Sequence, residues 1–112
     1  MKRLLFAGLI VMLGCRHMTP SKPVSELTPQ EQAGRRIFVR HCSVCHYANS
    51  EAGLNGPGLQ GLFRKPYLPS GMVANDERVT AVILRGRSMM PGLGDTLSDP
   101  QLKNLLAYLH TL

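Results

Sequence analysis

The chain has 112 residues, enough for one small domain but too few for a large self-sufficient core once any targeting segment is subtracted. With three Phe, three Tyr and no Trp, large aromatic side chains cannot supply most of the buried area, and a bulky apolar cofactor would fill that gap. The formal charge of +6 falls to +4 once Lys2 and Arg3 are set aside with the leader described next; the basic residues form no run and are not interleaved with aromatics, which argues against a nucleic-acid binder and permits an acidic docking partner.

Residues 1–14 read as an export signal, with basic Lys2 and Arg3, an apolar stretch over residues 4–13, and Gly14. Ten residues rise only about 15 Å as a helix, roughly half of a hydrocarbon core, so cleavage is expected rather than a permanent span. Met12-Leu13-Gly14-Cys15 resembles the bacterial lipoprotein signal, in which the cysteine becomes the lipidated first residue; this implies lipidation at Cys15, a membrane anchor and a periplasmic address. The alternative is an ordinary secretory leader. Residues 15–27 are polar, carry Pro20 and Pro23, and show no hydrophobic period, which predicts a flexible linker ahead of a domain over residues 28–112.

Thr28-Pro29-Gln30-Glu31 starts the first predicted helix, with Thr28 as N-cap, Pro29 at its first position and Glu31 completing a capping box. It should run to about His41, with Ala33, Ile37 and Phe38 on one face and Arg35, Arg36 and Arg40 in solvent. Gly34 is costly inside a helix and implies a close backbone contact.

Cys42-Ser43-Val44-Cys45-His46 follows at once. The CxxCH spacing lets two thioethers to haem vinyl groups form from one turn and delivers the adjacent histidine to the iron. A thioredoxin-like reading needs a βαβ setting, and a zinc site needs a second ligand pair; the sequence offers neither. The three cysteines, an odd number, suit no closed disulfide framework, whereas the motif uses two and the leader the third.

Residues 49–71 hold Gly53, Gly56, Gly58, Gly61 and Gly71 with three prolines, a long loop whose Leu54, Leu59, Leu62 and Phe63 argue that it wraps something. Asn75 caps a second helix through Val79, Val82, Ile83 and Leu84, ending at Arg85 and Gly86. After a short loop, Ser98-Asp99-Pro100-Gln101 repeats the capping box, and Leu102, Leu105, Leu106 and Leu109 make the apolar stripe of a last helix. His17, His41 and His110 suggest nothing beyond a linker position and two helix ends.

Taken together, the CxxCH after a first helix, Gly56-Pro57-Gly58-Leu59, Gly61-Leu62-Phe63-Arg64-Lys65, Met90-Pro91 and the closing Leu105-Leu106-Ala107-Tyr108-Leu109 resemble the small class I c-type cytochromes over residues 28–112. The resemblance implies an all-α class I cytochrome c fold of about three main helices, with long loops closing on opposite sides of one haem c held through Cys42 and Cys45. It also implies His46 and Met90 as iron ligands, the Pro57 carbonyl orienting His46, Leu59 with Leu62 or Phe63 on the haem face, Arg64 on a propionate, and Gly34 and Phe38 packed on Tyr108. Met89 is the rival to Met90, and Met72 a more distant one. The function implied is one-electron transfer between redox protein partners in a respiratory or dehydrogenase chain, with no small-molecule substrate and no enzymatic activity. The alternatives are a haem subunit of a larger oxidoreductase complex, an open-site haem sensor or enzyme, and a haem-free thiol or metal protein.

Overall fold

Three side-chain caps set where the helices begin in the computed structural model, which describes residues 19–112. Thr28 Oγ1 accepts from the Glu31 N–H (3.2 Å) while Glu31 Oε2 accepts from the Thr28 N–H (2.7 Å), closing the capping box of α1, Pro29–His41. Asn75 Oδ1 accepts from the Arg78 N–H (2.9 Å) at the start of α2, Asp76–Arg85, and Ser98 and Gln101 form the second capping box ahead of α3, Asp99–Leu109. Each cap satisfies amide groups that the first helical turn leaves without partners. Among the described residues there is no regular strand; Val24–Glu26 and Leu62–Arg64 form short 3-10 turns, and isolated antiparallel bridges pair Tyr67 with Val73 and Arg87 with Met90.

The helical frame is α1 crossed on α3, and Gly34 decides how close they come. A Cβ at Gly34 would run into the Asn104 carbonyl and lie 2.8 Å from Tyr108 Cβ, so only hydrogen fits. One turn on, the Phe38 and Tyr108 rings meet at a centroid distance of 5.5 Å with a 60° tilt, a geometry that aromatic quadrupoles favour. Around this crossing, Leu27, Val79, Ile83, Leu97, Leu105, Leu109 and Leu112 complete the buried core. Leu59, Leu62, Phe63, Leu68, Leu93, Leu102 and Leu106 pack against it only partly buried. Among the described residues Leu105 alone is wholly enclosed. A core so thin leaves much apolar surface for something besides protein to cover.

The N-terminal segment departs from the expected linker. The Lys22 N–H donates to the Thr111 carbonyl (2.8 Å), Lys22 Nζ pairs with Glu31 (2.9 Å), Arg64 donates to the Thr19 carbonyl (2.6 Å), and Leu27 is buried. Residues 19–27 are thus docked on the domain. One main-chain hydrogen bond, a guanidinium bond to a main-chain carbonyl and one ion pair hold them, and none of these leaves a mark on the hydrophobic pattern from which a linker was expected. The leader, Cys15 and His17 lie outside the described residues.

Candidate functional site

The CxxCH segment is a tight turn on the end of α1. The Cys42 N–H donates to the Phe38 carbonyl (2.8 Å), and the Cys45 and His46 N–H groups both donate to the Cys42 carbonyl (3.0 and 2.9 Å), so the two sulfurs and the imidazole project from about one turn of backbone. Ser43 Oγ donates back to the Val39 carbonyl (2.6 Å) and caps the helix end. Both cysteines are half-buried, and they form no disulfide with each other. Burial, and next the neighbouring Cys45, push the Cys42 thiol up to about 11, the mark of an apolar environment that disfavours a thiolate.

The glycine-rich loop folds back over this turn. The Gly56 N–H donates to the Cys45 carbonyl (2.7 Å) and the Leu59 N–H to the Tyr47 carbonyl (2.8 Å). The Pro57 carbonyl then lies 2.7 Å from His46 Nδ1. A carbonyl only accepts, so the Nδ1 proton is donated to Pro57 and Nε2 keeps its lone pair. Gly56 lies against the ring itself: a Cβ there would stand 2.9 Å from Nδ1 and 3.0 Å from Nε2. The imidazole is therefore fixed in both tautomer and plane, with Nε2 as its available ligand atom.

Leu59, Leu62 and Leu68, with Pro57, line a cleft of about 260 Å3 whose wall also holds the Lys65–Glu51 ion pair (3.2 Å). A larger hollow of about 330 Å3 runs along α2 between Glu77 and Arg85 and is lined by none of the candidate residues. The methionine loop is pinned to the end of α2 by the Leu93 N–H on the Ile83 carbonyl (2.8 Å) and the Gly94 N–H on the Leu84 carbonyl (3.1 Å). Within it Met90 is half-buried, whereas Met89 is 94 % exposed. Met72 stands in the Tyr67–Val73 hairpin, where the Leu68 N–H donates to its carbonyl (2.7 Å). Arg64 is exposed, its guanidinium held by the Thr19 carbonyl. Among the described residues no group of three or more His, Cys, Asp or Glu converges to hold a metal ion.

Residues 29–109 match the family described as cytochrome c oxidase, cbb3-type, subunit III. The chain is a small class I c-type cytochrome. It is 30% identical over 80 residues to cytochrome c6 of Picosynechococcus sp., covering 69% of this chain and 68% of that one. It is 30% identical over 90 residues to a cytochrome c6-like protein of Nostoc sp., covering 76% and 78% respectively. The cbb3-type cytochrome c oxidase subunit FixP of Azorhizobium caulinodans is 35% identical over 88 residues, which span 76% of this chain but only 28% of FixP. Among solved structures, cytochrome c6 of the diatom Phaeodactylum tricornutum superposes with a TM-score of 0.54 at 28% identity, over 70% of this chain and 88% of that one. The all-α fold is that of the class I cytochromes, and the family is one of haem c electron carriers.

The residues fit a haem. His46 offers one unencumbered nitrogen, Cys42 and Cys45 lie half-buried on the same turn, and Leu59 and Leu62, on the loop that folds back over that turn, stay only partly buried against a thin core. Sequence reasoning missed His110. Its ring stacks on Phe63 (centroids 3.8 Å apart, planes 11° apart) and its Nε2 lies 2.6 Å from Asp76 Oδ1, so one exposed side chain ties the Leu62–Arg64 turn and the start of α2 to the end of α3. These contacts join segments distant in sequence and leave no periodic trace that could have revealed them.

Proposed function

We propose that this cytochrome is a one-electron carrier whose haem c is attached through Cys42 and Cys45 and ligated by His46 and Met90. The observation that carries the reading is the His46 Nδ1 to Pro57 carbonyl hydrogen bond, because it uses Nδ1, leaves Nε2 as the nitrogen for a metal and supports the ring's orientation. When bound, haem supplies a reversible one-electron couple at its iron.

The chain's own residues then have separable tasks. His46 donates its Nδ1 proton to Pro57, which increases electron density on Nε2 and fixes the ring's orientation. Met90, half-buried on a loop hydrogen-bonded to α2, would supply a thioether as the second protein ligand, which would raise the potential relative to a second histidine and leave no open position for a substrate. Leu59, Leu62 and Leu68 exclude water and keep the local dielectric low. Arg64 would give up its bond to the Thr19 carbonyl to pair with a propionate. With His46 and Met90 both engaged, the protein would act as a carrier rather than an enzyme, and its partners would be redox proteins that give and take the electron. The leader-like residues 1–14 and Cys15 support export to the periplasm with a lipid anchor; no described helix is long and apolar enough to cross a membrane.

A second reading, a haem subunit of a larger oxidoreductase, is favoured by the match to the cbb3-type subunit III family. The deciding experiment is a reduced-minus-oxidised visible spectrum of protein made with haem-attachment machinery, repeated under carbon monoxide. A c-type spectrum unmoved by the gas is expected. A spectrum that shifts would replace the carrier by an open-site haem protein, and co-purification at fixed stoichiometry with other subunits would favour the second reading.

A further inference from the structure

The 3-10 turn Leu62–Arg64 is entered through Gly61, at a φ of 71°, and closes on itself. The Leu62 N–H donates to the Leu59 carbonyl (3.0 Å) and the Arg64 N–H to the Gly61 carbonyl (2.9 Å). Successive residues of such a turn point about 120° apart, so whatever captures one side chain aims its neighbours. The resemblance to class I cytochromes leaves Leu62 and Phe63 as rivals for the haem face, and the structure parts them. Leu62 lines the cleft with Pro57, Leu59 and Leu68. Phe63 does not line it, and lies flat on the His110 ring, centroids 3.8 Å and planes 11° apart.

Little else fixes that choice. Among the described residues no hydrogen bond runs from residues 59–65 to any of the three helices: their main-chain partners are Tyr47, Ser50 and the turn itself, and their side-chain partners are Glu51 and Thr19. The bond to Thr19 is the one that Arg64 would give up to pair with a propionate. Apolar packing on the core has no direction of its own, so the stack on His110 is what orients the turn against the helices. His110 is itself well held. Its N–H donates to the Leu106 carbonyl (3.0 Å) at the end of α3, and Nε2 lies 2.6 Å from Asp76 Oδ1. A carboxylate only accepts, so Nε2 carries the proton of that bond. Asp76 stands in the first turn of α2 and His110 beyond the last turn of α3, the helix ends where a carboxylate and an imidazole are each favoured.

We propose that His110 is a positioning residue for the haem site: it holds Phe63 against the end of α3, with Asp76 fixing the imidazole, and thereby turns Leu62 into the cleft. The proposal rests on the carrier reading above, because its consequence is for the reduction potential. An apolar side chain that closes the cleft keeps water out, and a drier site disfavours the more highly charged, oxidised iron. His110 touches neither the cleft nor the ligands, and acts only through Phe63.

The test is NMR and potentiometry of the haem-loaded protein and its variants. In the native ferrous protein the Leu62 methyl resonances should be displaced by the ring current of the macrocycle, and those of the Phe63 ring should not. His110→Ala should move the Leu62 methyls toward their ordinary shifts and lower the potential. It should also speed amide exchange over residues 62–65 by about two- to tenfold, the range that an aromatic pair contributes. His110→Phe keeps the stack and gives up Asp76, and should restore most of the native behaviour. His110→Gln keeps a donor for Asp76 and gives up the stack, and should resemble alanine. In a Phe63→Leu background His110→Ala should change the potential no further. A His110→Ala protein of lower Tm with native potential and native Leu62 shifts would make His110 a purely structural contact and overturn the proposal. Ring-current displacement of Phe63 in place of Leu62, or a His110→Gln protein that matches the native one, would overturn it as well. The visible spectrum keeps these outcomes apart from a failure of the carrier reading: carbon monoxide binding by the unmodified ferrous protein removes that reading and this role with it, whereas an unmoved c-type spectrum with any of the contrary results removes only the role of His110.

Discussion

Gly34 and Tyr108 meet at the crossing of α1 and α3 with no room for a methyl group between them, because a Cβ on Gly34 would lie 2.8 Å from Tyr108 Cβ and collide with the Asn104 carbonyl. The opposing atoms are backbone and a Cβ, which cannot rotate away. Alanine gains about 1 kcal/mol of helix propensity over glycine, yet it would have to push the two helices apart and loosen the Phe38–Tyr108 pair. Gly34→Ala should therefore destabilise the holoprotein by about 2–4 kcal/mol in denaturant unfolding. A neutral or stabilising result would mean that the two helices can part at this crossing without loss.

The two adjacent methionines separate by exposure, and each should answer differently to truncation. Met90→Ala should retain covalent haem, bind carbon monoxide in the ferrous state and lower the potential by something on the order of 100 mV, well within the roughly 0.8 V that axial-ligand identity spans. Met89→Ala should leave spectrum, potential and carbon monoxide response unchanged, since its side chain is 94 % exposed. If the two variants exchange these behaviours, the ligand is Met89.

What was legible in the sequence was local. Thr28, Asn75 and Ser98 could be read as caps because capping is decided within four residues, and all three bonds are present. The CxxCH turn and Gly34 were legible for the same reason, as a fixed spacing and a propensity violation that demanded a contact. The docking of residues 19–27 was not, because the bonds from Lys22 to Thr111 and from Arg64 to Thr19 involve main-chain atoms that every residue possesses. Leu27 was the one available signal, an apolar residue directly before a cap, where a chain entering a helix commonly packs. The contrast between Met89 and Met90 was equally hidden, since it depends on how the loop is laid against Ile83 and Leu84.

Glu31 links the capping box to the docked segment, accepting from both the Thr28 N–H and Lys22 Nζ. These bonds, that from Lys22 foremost, hold its carboxyl below the ordinary value of 4.5. A carboxylate with a lowered folded-state pKa contributes stability that is fully present above its unfolded value and is lost as pH falls through the folded one. Glu31→Gln preserves the shape of the box and removes the charge. It should cost about 1 kcal/mol or less at pH 7, because the pair with Lys22 is partly exposed, and the difference from the native protein should close as pH drops below the carboxylate range. A difference that persists at acid pH would show that shape rather than charge carries the contribution.

Gly56→Ala tests the site through the imidazole. A methyl group there would stand within 3.0 Å of His46 Nε2 and 2.9 Å of Nδ1, so the ring must turn or the loop must lift, and either movement weakens the bond to the Pro57 carbonyl. The haem should remain attached, since Cys42 and Cys45 sit on the other strand of this contact and their turn is closed by its own hydrogen bonds to Phe38 and Cys42. The expected signature is therefore selective: thioether-bound haem is retained, the potential shifts, and the ring Nδ1 proton, slow to exchange in the native ferrous protein, exchanges faster by about tenfold or more, the effect of losing roughly 1.4 kcal/mol of protection. An Nδ1 proton that stays protected in the variant would mean that Gly56 only makes a turn, and that the orientation of His46 is set by the Cys45 backbone instead.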